Sequence, residues 1–440
     1  MDSPSPSRIS RDRRAASSRD ASALAEAYQR VRAATEALAA PLSAEDQVAQ
    51  SMADASPTKW HRAHTTWFFE TFVLGPGVAD YAPFHPAFAH LFNSYYVSVG
   101  TMHARPQRGL LTRPPLATIA AYRRHVDAQL LALLGGELRL SGGLARDELL
   151  ARVEIGLHHE QQHQELIVTD LKHLLSHNPI APVYRARPED ARGVAAPLDW
   201  IAHEGGVHEL GFAGAGFHFD NEGPRHRVFL EPFALASRLV TNAEYQAFID
   251  DDGYARPELW LSDGWATSSR EGWRAPLYWR ADGRVFTLAG ERARADDAPV
   301  CHVSYYEADA YARWAGARLA SEQEWEIMAR ASSPLATSAG VFADHGRLHP
   351  APAAASTSGE PAQLFGDVWE WTSSAYAAYP NYRPLPGALG EYNGKFMCNQ
   401  FVLRGGSCAT PRDHIRATYR NFFYPPARWQ FSGIRLARSP

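Results

Sequence analysis

Cysteine is scarce. The 440 residues hold three, Cys301, Cys398 and Cys408, too few and too scattered for a disulfide framework or a cysteine-based zinc site. That favours a reducing compartment, and a cytoplasmic location is expected. Long apolar runs are missing as well: none reaches the roughly 18 residues that a transmembrane helix needs, so no membrane partner is expected. The N-terminus lacks an apolar h-region, which argues against secretion. Excess charge is also lacking. Lys and Arg number 44 against 48 Asp and Glu, and a net charge of -4 gives no bulk pull toward nucleic acid or a membrane surface. What is plentiful is apolar surface, 45% of residues, and aromatic rings, with 12 Trp, 18 Tyr and 20 Phe concentrated in the second half. This composition suits two to three globular domains with large cores.

Residues 1–19 are rich in Ser, Arg and Pro and read as a disordered tail; Asp2 and Asp12 disfavour a transit peptide. From Asp20 to Ala40 the pattern is helical and stops at Pro41. Ser43-Ala44-Glu45-Asp46 looks like a capping-box start for another helix. Ser56-Pro57 supplies an N-cap and an N1 proline for a helix from Thr58 to about Leu74. A segment from Phe84 to Gly100 carries Asn93-Ser94-Tyr95-Tyr96, and the loop after it carries Arg105, Arg108 and Arg113. Leu116 to Leu134 is amphipathic, and a last helix is stopped by Asn178-Pro179. Amphipathic helices with short connections describe a bundle. Residues 178–198 hold four prolines and no periodic pattern and read as a linker. Beyond Trp200, short aromatic strands alternate with turns, and two helices stand out, Tyr305 to Trp314 and one capped by Ser321 that runs to about Arg330.

The chain is organised around His159-Glu160-Gln161-Gln162-His163. On a helix, positions i and i+4 lie one turn apart on one face, so both imidazoles can reach one metal ion. Leu149, Leu150, Val153, Leu157, Ile167 and Leu171 give the helical spacing around them. The stretch fits H-E-x-x-H, in which Glu160 would be the general base of a zinc hydrolase. The extended protease signature puts Gly and His three and six residues past the second histidine; this chain has Leu166 and Thr169. A metal site with a third ligand from another helix is the alternative, and an exposed polar face is the plainest reading.

Two blocks of the second half resemble the formylglycine-generating-enzyme, or sulfatase-modifying-factor, fold. One runs from Val303-Ser304-Tyr305-Tyr306-Glu307-Ala308 through Trp314-Ala315-Gly316-Ala317-Arg318-Leu319 and on to Arg330. The other comprises Phe365-Gly366-Asp367-Val368-Trp369-Glu370-Trp371, Leu403-Arg404-Gly405-Gly406-Ser407 and Gly433-Ile434-Arg435-Leu436. The first half resembles the DinB-like four-helix bundle. Together, over about residues 20–438, they resemble the ergothioneine-biosynthesis sulfoxide synthases. The expected fold is thus α+β multidomain: a DinB-like bundle at 20–177, a linker at 178–198, and a loop-rich mixed α/β, C-type-lectin-like domain at 199–440.

That resemblance implies iron(II) held by His64, His159 and His163, with dioxygen as co-substrate. It implies joining the sulfur of cysteine or γ-glutamylcysteine to C2 of the imidazole of hercynine, the trimethylated form of histidine, with oxidation to a sulfoxide. It places Gln162 at the substrate imidazole, Asn421, Phe422 and Phe423 at the betaine end, and Arg105 and Arg108 at the thiol's carboxylate. Tyr95 and Tyr96 match a pair that supplies a proton, or a proton and an electron, in one subgroup. Aromatic faces suit a quaternary ammonium, and a guanidinium fork suits a carboxylate. Without the family, Gln162 reads equally as a surface glutamine, the arginines as loop residues and the phenylalanines as core. Glu165 is expected to orient a ligand imidazole, and His61 and His158 to be solvated or structural. Cys408 follows Ser407 with no cysteine partner nearby, which disfavours formylglycine formation. No methyltransferase segment is expected after residue 440. A relative that uses a selenium donor on hercynine (a selenoneine synthase), a zinc hydrolase and a metal-free binding module are the competing functions. The sequence leaves the oligomeric state open.

Overall fold

Helices fill the first half of the computed structural model, which describes residues 20–188, 194–333, 339–353 and 359–440. The expected tail and part of the linker lie outside the described residues. Four long helices pack together: α1 (Ala21–Ala39), α2 (Thr58–Phe69), α5 (Leu116–Leu134) and α6 (Arg146–Ser176). Asp20 caps α1 by accepting the Ser22 N–H at 2.9 Å. Ser43 and Asp46 exchange the bonds of a capping box, but the chain only turns there and no helix follows. Phe84 to Gly100 is mostly irregular, with the single turn α4 (Phe88–Leu91).

The end of α2 widens into a π turn at Glu70–Leu74 before the single turn α3 (Gly75–Gly77). The buried carboxylate of Glu70 sits at this widening and accepts from Tyr81 Oη, Phe84 N and Tyr122 Oη at 2.6–2.9 Å. One glycine sets how closely α2 and α6 approach. A Cβ at Gly156 would come within 2.4 Å of the Phe69 ring.

Helix α6 is 31 residues long and serves two cores. Gly156, His159, Glu160, His163, Gln164 and Ile167 face the other helices, while His158, Gln161, Gln162 and Glu165 meet the strand-rich half. That second stripe has the i, i+3, i+4, i+7 spacing of a single helix face.

Glu160 lies at 0% exposure and ties the helices together, with Arg32 at 2.9 Å, Arg123 at 3.1 Å and Thr35 Oγ1 at 2.7 Å. Burial alone would raise its carboxyl, but the two arginines and their hydrogen bonds outweigh that and hold it down at about 2. Glu160→Gln leaves two buried guanidiniums undercompensated and is expected to cost about 3–5 kcal/mol of stability. The folded pKa lies below the unfolded carboxylate value. This contribution is therefore complete above the unfolded value and fades as pH falls from about 4.3 toward 2. Urea unfolding of both proteins at pH 7, 5 and 3.5 checks this. The gap between them should narrow in acid, and a gap independent of pH would refute the role.

Among the described residues, twelve strands lie in the second half. One four-stranded sheet has the order β1 (Trp200–His203), β4 (Phe233–Ala236), β12 (Leu436–Arg438), β7 (Arg318–Leu319). The other has the order β10 (Asn421–Phe423), β9 (Phe401–Arg404), β8 (Trp369–Ala375), β11 (Ser432–Gly433). Two hairpins, β2 (Gly206–Leu210) with β3 (His226–Leu230) and β5 (Arg284–Thr287) with β6 (Gly290–Ala293), complete the strands. Both expected helices form, α9 (Tyr305–Trp314) and α10 (Glu322–Ala331), each with a reciprocal capping box. The sequence reading missed α7 (Asn242–Asp250) and α8 (Ser262–Glu271). The signal for α7 was present, since Thr241 and Glu244 form the same capping box.

The second sheet presents its β8 end to α6. Trp369 Nε1 donates to Glu165 at 2.8 Å, and Ser407 and Thr410 donate to the same carboxylate at 2.5 and 2.7 Å. Ser407 reaches it from the turn at Gly405-Gly406. Both glycines have positive φ, and a Cβ on Gly405 would meet Leu364 O at 2.5 Å. Glu165 is therefore an anchor between the two halves, not the orienter of a ligand imidazole that the sequence suggested.

Candidate metal centre

His64 comes from α2, and His159 and His163 come from α6. Their ligand nitrogens all lie within 4.8 Å of one another, the one such His/Cys/Asp/Glu group found among the described residues. The close α2–α6 approach at Gly156 brings His64 to the i, i+4 pair, in the place of the third donor that the protease signature lacked. His64 Nε2 and His159 Nε2 are 3.2 Å apart. His64 Nδ1 donates to the Phe92 carbonyl at 2.6 Å, so its Nε2 is a bare lone pair. Burial pushes all three imidazoles down, His159 to about 3 and the other two well below their ordinary value, with the neighbouring rings adding to the effect for His64 and His163. Neutral imidazole is the form that binds a metal. His159 Nδ1 has no hydrogen-bond partner in the protein. A divalent ion among the three rings gives their converging lone pairs a partner, so the residues fit a metal.

Glu160, the base a zinc hydrolase would need, points away from this centre into its arginine pair. His61, set aside in the sequence, is 2% exposed, and its Nδ1 lies 2.8 Å from His163 Nδ1. His158 bonds His414 Nδ1 at 3.0 Å across the boundary between the halves.

Gln162 faces the strand-rich half. Its amide donates to Tyr419 Oη at 2.6 Å and accepts from Tyr392 Oη. Tyr392 went unnoticed in the sequence, where nothing but its aromatic character marks it. Its ring centre lies 5.7 Å from that of His159 and 6.3 Å from that of Tyr95. Tyr95 and Tyr96 stack at 4.6 Å, with their hydroxyls 3.5 Å apart. Burial pushes all three phenols up, so each holds its proton. Tyr392 also lines a cavity of about 450 Å³ between α6 and the second half, together with Ile155, Phe217, Phe219, Asp220 and Arg383.

The two arginines part company. Arg108 is buried and lies over the Trp60 ring at 3.3 Å, and Trp60 stacks on His64 at 4.5 Å. Its partners are two hydroxyls, Ser56 Oγ at 2.9 Å and Ser94 Oγ at 3.2 Å, and its Nε has none. Burial first, and Arg105 second, push its pKa down, against a smaller upward pull from Asp170. Arg105 is exposed and donates to the Asp54 carbonyl at 2.5 Å. The phenylalanines part as well. In β10 the side chains alternate, so Asn421 and Phe423 share the sheet face of Trp371 and Trp369, which meets α6. Phe422 lies on the other face, stacked on Tyr376 at 4.1 Å. One ligand could touch both rings only at the outer edge of β10.

The sequence pattern of the sulfatase-modifying factor enzyme 1-like domain matches residues 190–440, more than half of the chain. A hercynine oxygenase of Mycolicibacterium thermoresistibile is 34% identical over 413 residues, covering 87% of each chain. The hercynine oxygenase of Mycobacterium tuberculosis is 34% identical over 412 residues, covering 87% of this chain and 91% of its own. A formylglycine-generating enzyme of Streptomyces coelicolor is 31% identical over 275 residues, covering 50% of this chain and 80% of its own. A buried three-histidine centre set against a sulfatase-modifying-factor domain makes this chain an enzyme of the oxygenase class. It belongs to the hercynine oxygenase family.

Proposed function

We propose that the protein is a non-haem iron(II)- and dioxygen-dependent sulfoxide synthase of ergothioneine biosynthesis, joining a cysteine-type thiol to C2 of the hercynine imidazole. The observation that carries this reading is the convergence of three neutral, buried imidazoles with a buried guanidinium, bonded to serine hydroxyls, one aromatic ring away. The four long helices form a DinB-like bundle over residues 20–177, and 199–440 is the substrate-binding domain. His64, His159 and His163 hold the iron. When bound, it supplies the open positions and electrons that dioxygen chemistry needs. The reaction balances as thiol plus hercynine plus O₂ giving sulfoxide plus water. The S–H and C2–H bonds break, the C–S bond forms, one oxygen goes to sulfur, and the other leaves as water with the two hydrogens.

Arg108 holds the thiol's carboxylate, and its planar fork orients the sulfur toward the histidines. Gln162 holds the imidazole end of hercynine once Tyr392 yields its hydrogen bond. Tyr95 and Tyr96 hold protons at their phenol oxygens for transfer during coupling. Arg105, at the protein surface, steers the donor rather than binding it in the site. Three free cysteines suit a cytoplasmic enzyme. No helix among the described residues is long and apolar enough to cross a membrane.

Incubating the iron-loaded protein with hercynine, ¹⁸O₂ and either cysteine, γ-glutamylcysteine or a selenium donor tests the reading. The expected result is a sulfoxide carrying one ¹⁸O with one of the two thiols. Product from the selenium donor alone, or no coupled product with any donor, would overturn it. The face split in β10 gives a second measurement. Phe423→Ala is expected to raise KM for hercynine about tenfold, the loss of a partly desolvated cation–π contact of roughly 1–2 kcal/mol. Phe422→Ala should change it less. The reverse order would move the betaine end to the Tyr376 face.

A further inference from the structure

His61 and Asp170 are both buried, and they extend the metal centre by two side chains. The Asp170 carboxylate takes three hydrogen bonds. Oδ2 accepts the Ser56 N–H at 2.8 Å and lies 3.1 Å from His61 Nε2, and Oδ1 accepts Trp429 Nε1–H at 3.1 Å. A carboxylate so surrounded is an acceptor only, so His61 carries its proton on Nε2. Neutral His61 then offers a lone pair at Nδ1, 2.8 Å from His163 Nδ1. Two facing nitrogens bond only when one of them holds a proton, so His163 is protonated at Nδ1. Its Nε2 is left as a lone pair. The direction of the chain is fixed from the acid end: His61 donates to Asp170, and His163 donates to His61.

The placement is economical in secondary structure. Helix α2 presents His61 and His64 three apart on one face, and α6 presents His163 and Asp170 two turns apart. Trp429 belongs to the sulfatase-modifying-factor domain and reaches the same carboxylate.

We propose that His61 and Asp170 are positioning residues that fix the tautomer and ring angle of His163, and that Trp429 makes metal affinity depend on the docked second domain. The proposal rests on the reading of His64, His159 and His163 as iron ligands. A hydrogen-bonded partner on the far nitrogen of a ligand histidine fixes its orientation and raises its basicity, and losing such a partner typically costs about ten- to a hundredfold in metal affinity.

The test is anaerobic iron(II) titration of the full-length apoprotein against a chromogenic chelator, with apoprotein melting temperature measured alongside. The proteins are wild type, His61→Phe, Asp170→Asn, the double variant, Trp429→Phe and His163→Ala. His61→Phe and Asp170→Asn are each expected to weaken iron binding about ten- to a hundredfold. The double variant should be no weaker than the worse single one, because both act through one chain. Trp429→Phe should weaken binding severalfold while the apoprotein melts within a few degrees of wild type. Wild-type affinity in folded His61→Phe and Asp170→Asn would overturn the proposal. So would a His61→Phe loss as deep as that of His163→Ala beside an unaffected Asp170→Asn, since His61 would then itself be a ligand. If His163→Ala binds iron as tightly as wild type, the ligand assignment falls and the relay falls with it.

Discussion

His64→Ala is expected to reduce iron content at least tenfold and turnover to below a thousandth of wild type. Among the described residues the centre offers three nitrogens and no carboxylate, so one substitution removes a third of the donor set. The two histidines left, His159 and His163, come from one helix, and a pair four apart is a weak site. His64 is 0% exposed and has no acidic partner. Its loss leaves the Phe92 carbonyl without its donor and a cavity between Trp60 and Trp67, so the apoprotein should melt below wild type but still cooperatively. Metal analysis of protein purified without oxygen, a turnover assay and a melting curve separate a lost ligand from a lost fold. Full iron and full activity in the variant would end the assignment of His64.

Arg108→Met is expected to raise KM for the thiol about a hundredfold, roughly 2.8 kcal/mol, with KM for hercynine and iron content nearly unchanged. Methionine keeps much of the volume over Trp60 and removes the charge. Among the described residues the guanidinium is hydrogen-bonded to two serine hydroxyls and to no carboxylate, so the expected partner is an anion. The free enzyme bears the desolvation of that charge, so the variant's apoprotein should be as stable as wild type or more so. Arg108→Lys should recover little, because an ammonium cannot bind a carboxylate as a fork. Steady-state kinetics with each substrate varied in turn gives both constants. An unchanged thiol KM, or a rise confined to hercynine, would reverse the placement of the two substrates.

Other elements divide between what is local and what is not. The cap at Ser321 marked one helix start, because the box is written within four residues, and the structure shows the same box at Ser304 opening the other expected helix. The same box at Ser43 formed its bonds without a helix, because no buried apolar face follows it to repay the ordering. Glu165 shows the limit of proximity in sequence. Two residues beyond His163 on a helix lies nearly opposite in direction, so it met the other half of the protein instead of the histidine cluster.

By itself the sequence determined the i, i+4 histidine pair, the helical first half, the strand-rich second half and the family. Each follows from periodicities and motifs complete within a short stretch of chain. Only the tertiary structure decided that His61 stands behind His163, that Arg108 is buried over Trp60 while Arg105 stays at the surface, that Phe422 and Phe423 face apart, and that Tyr392 joins Gln162. Local pattern settles which side chains share a face of a helix or strand. It does not settle which faces meet. His61 and His163 are 102 positions apart, and Gln162 and Tyr392 are 230 apart. Those meetings are set by packing between elements, as where the Phe69 ring lies against Gly156 and no side chain would fit.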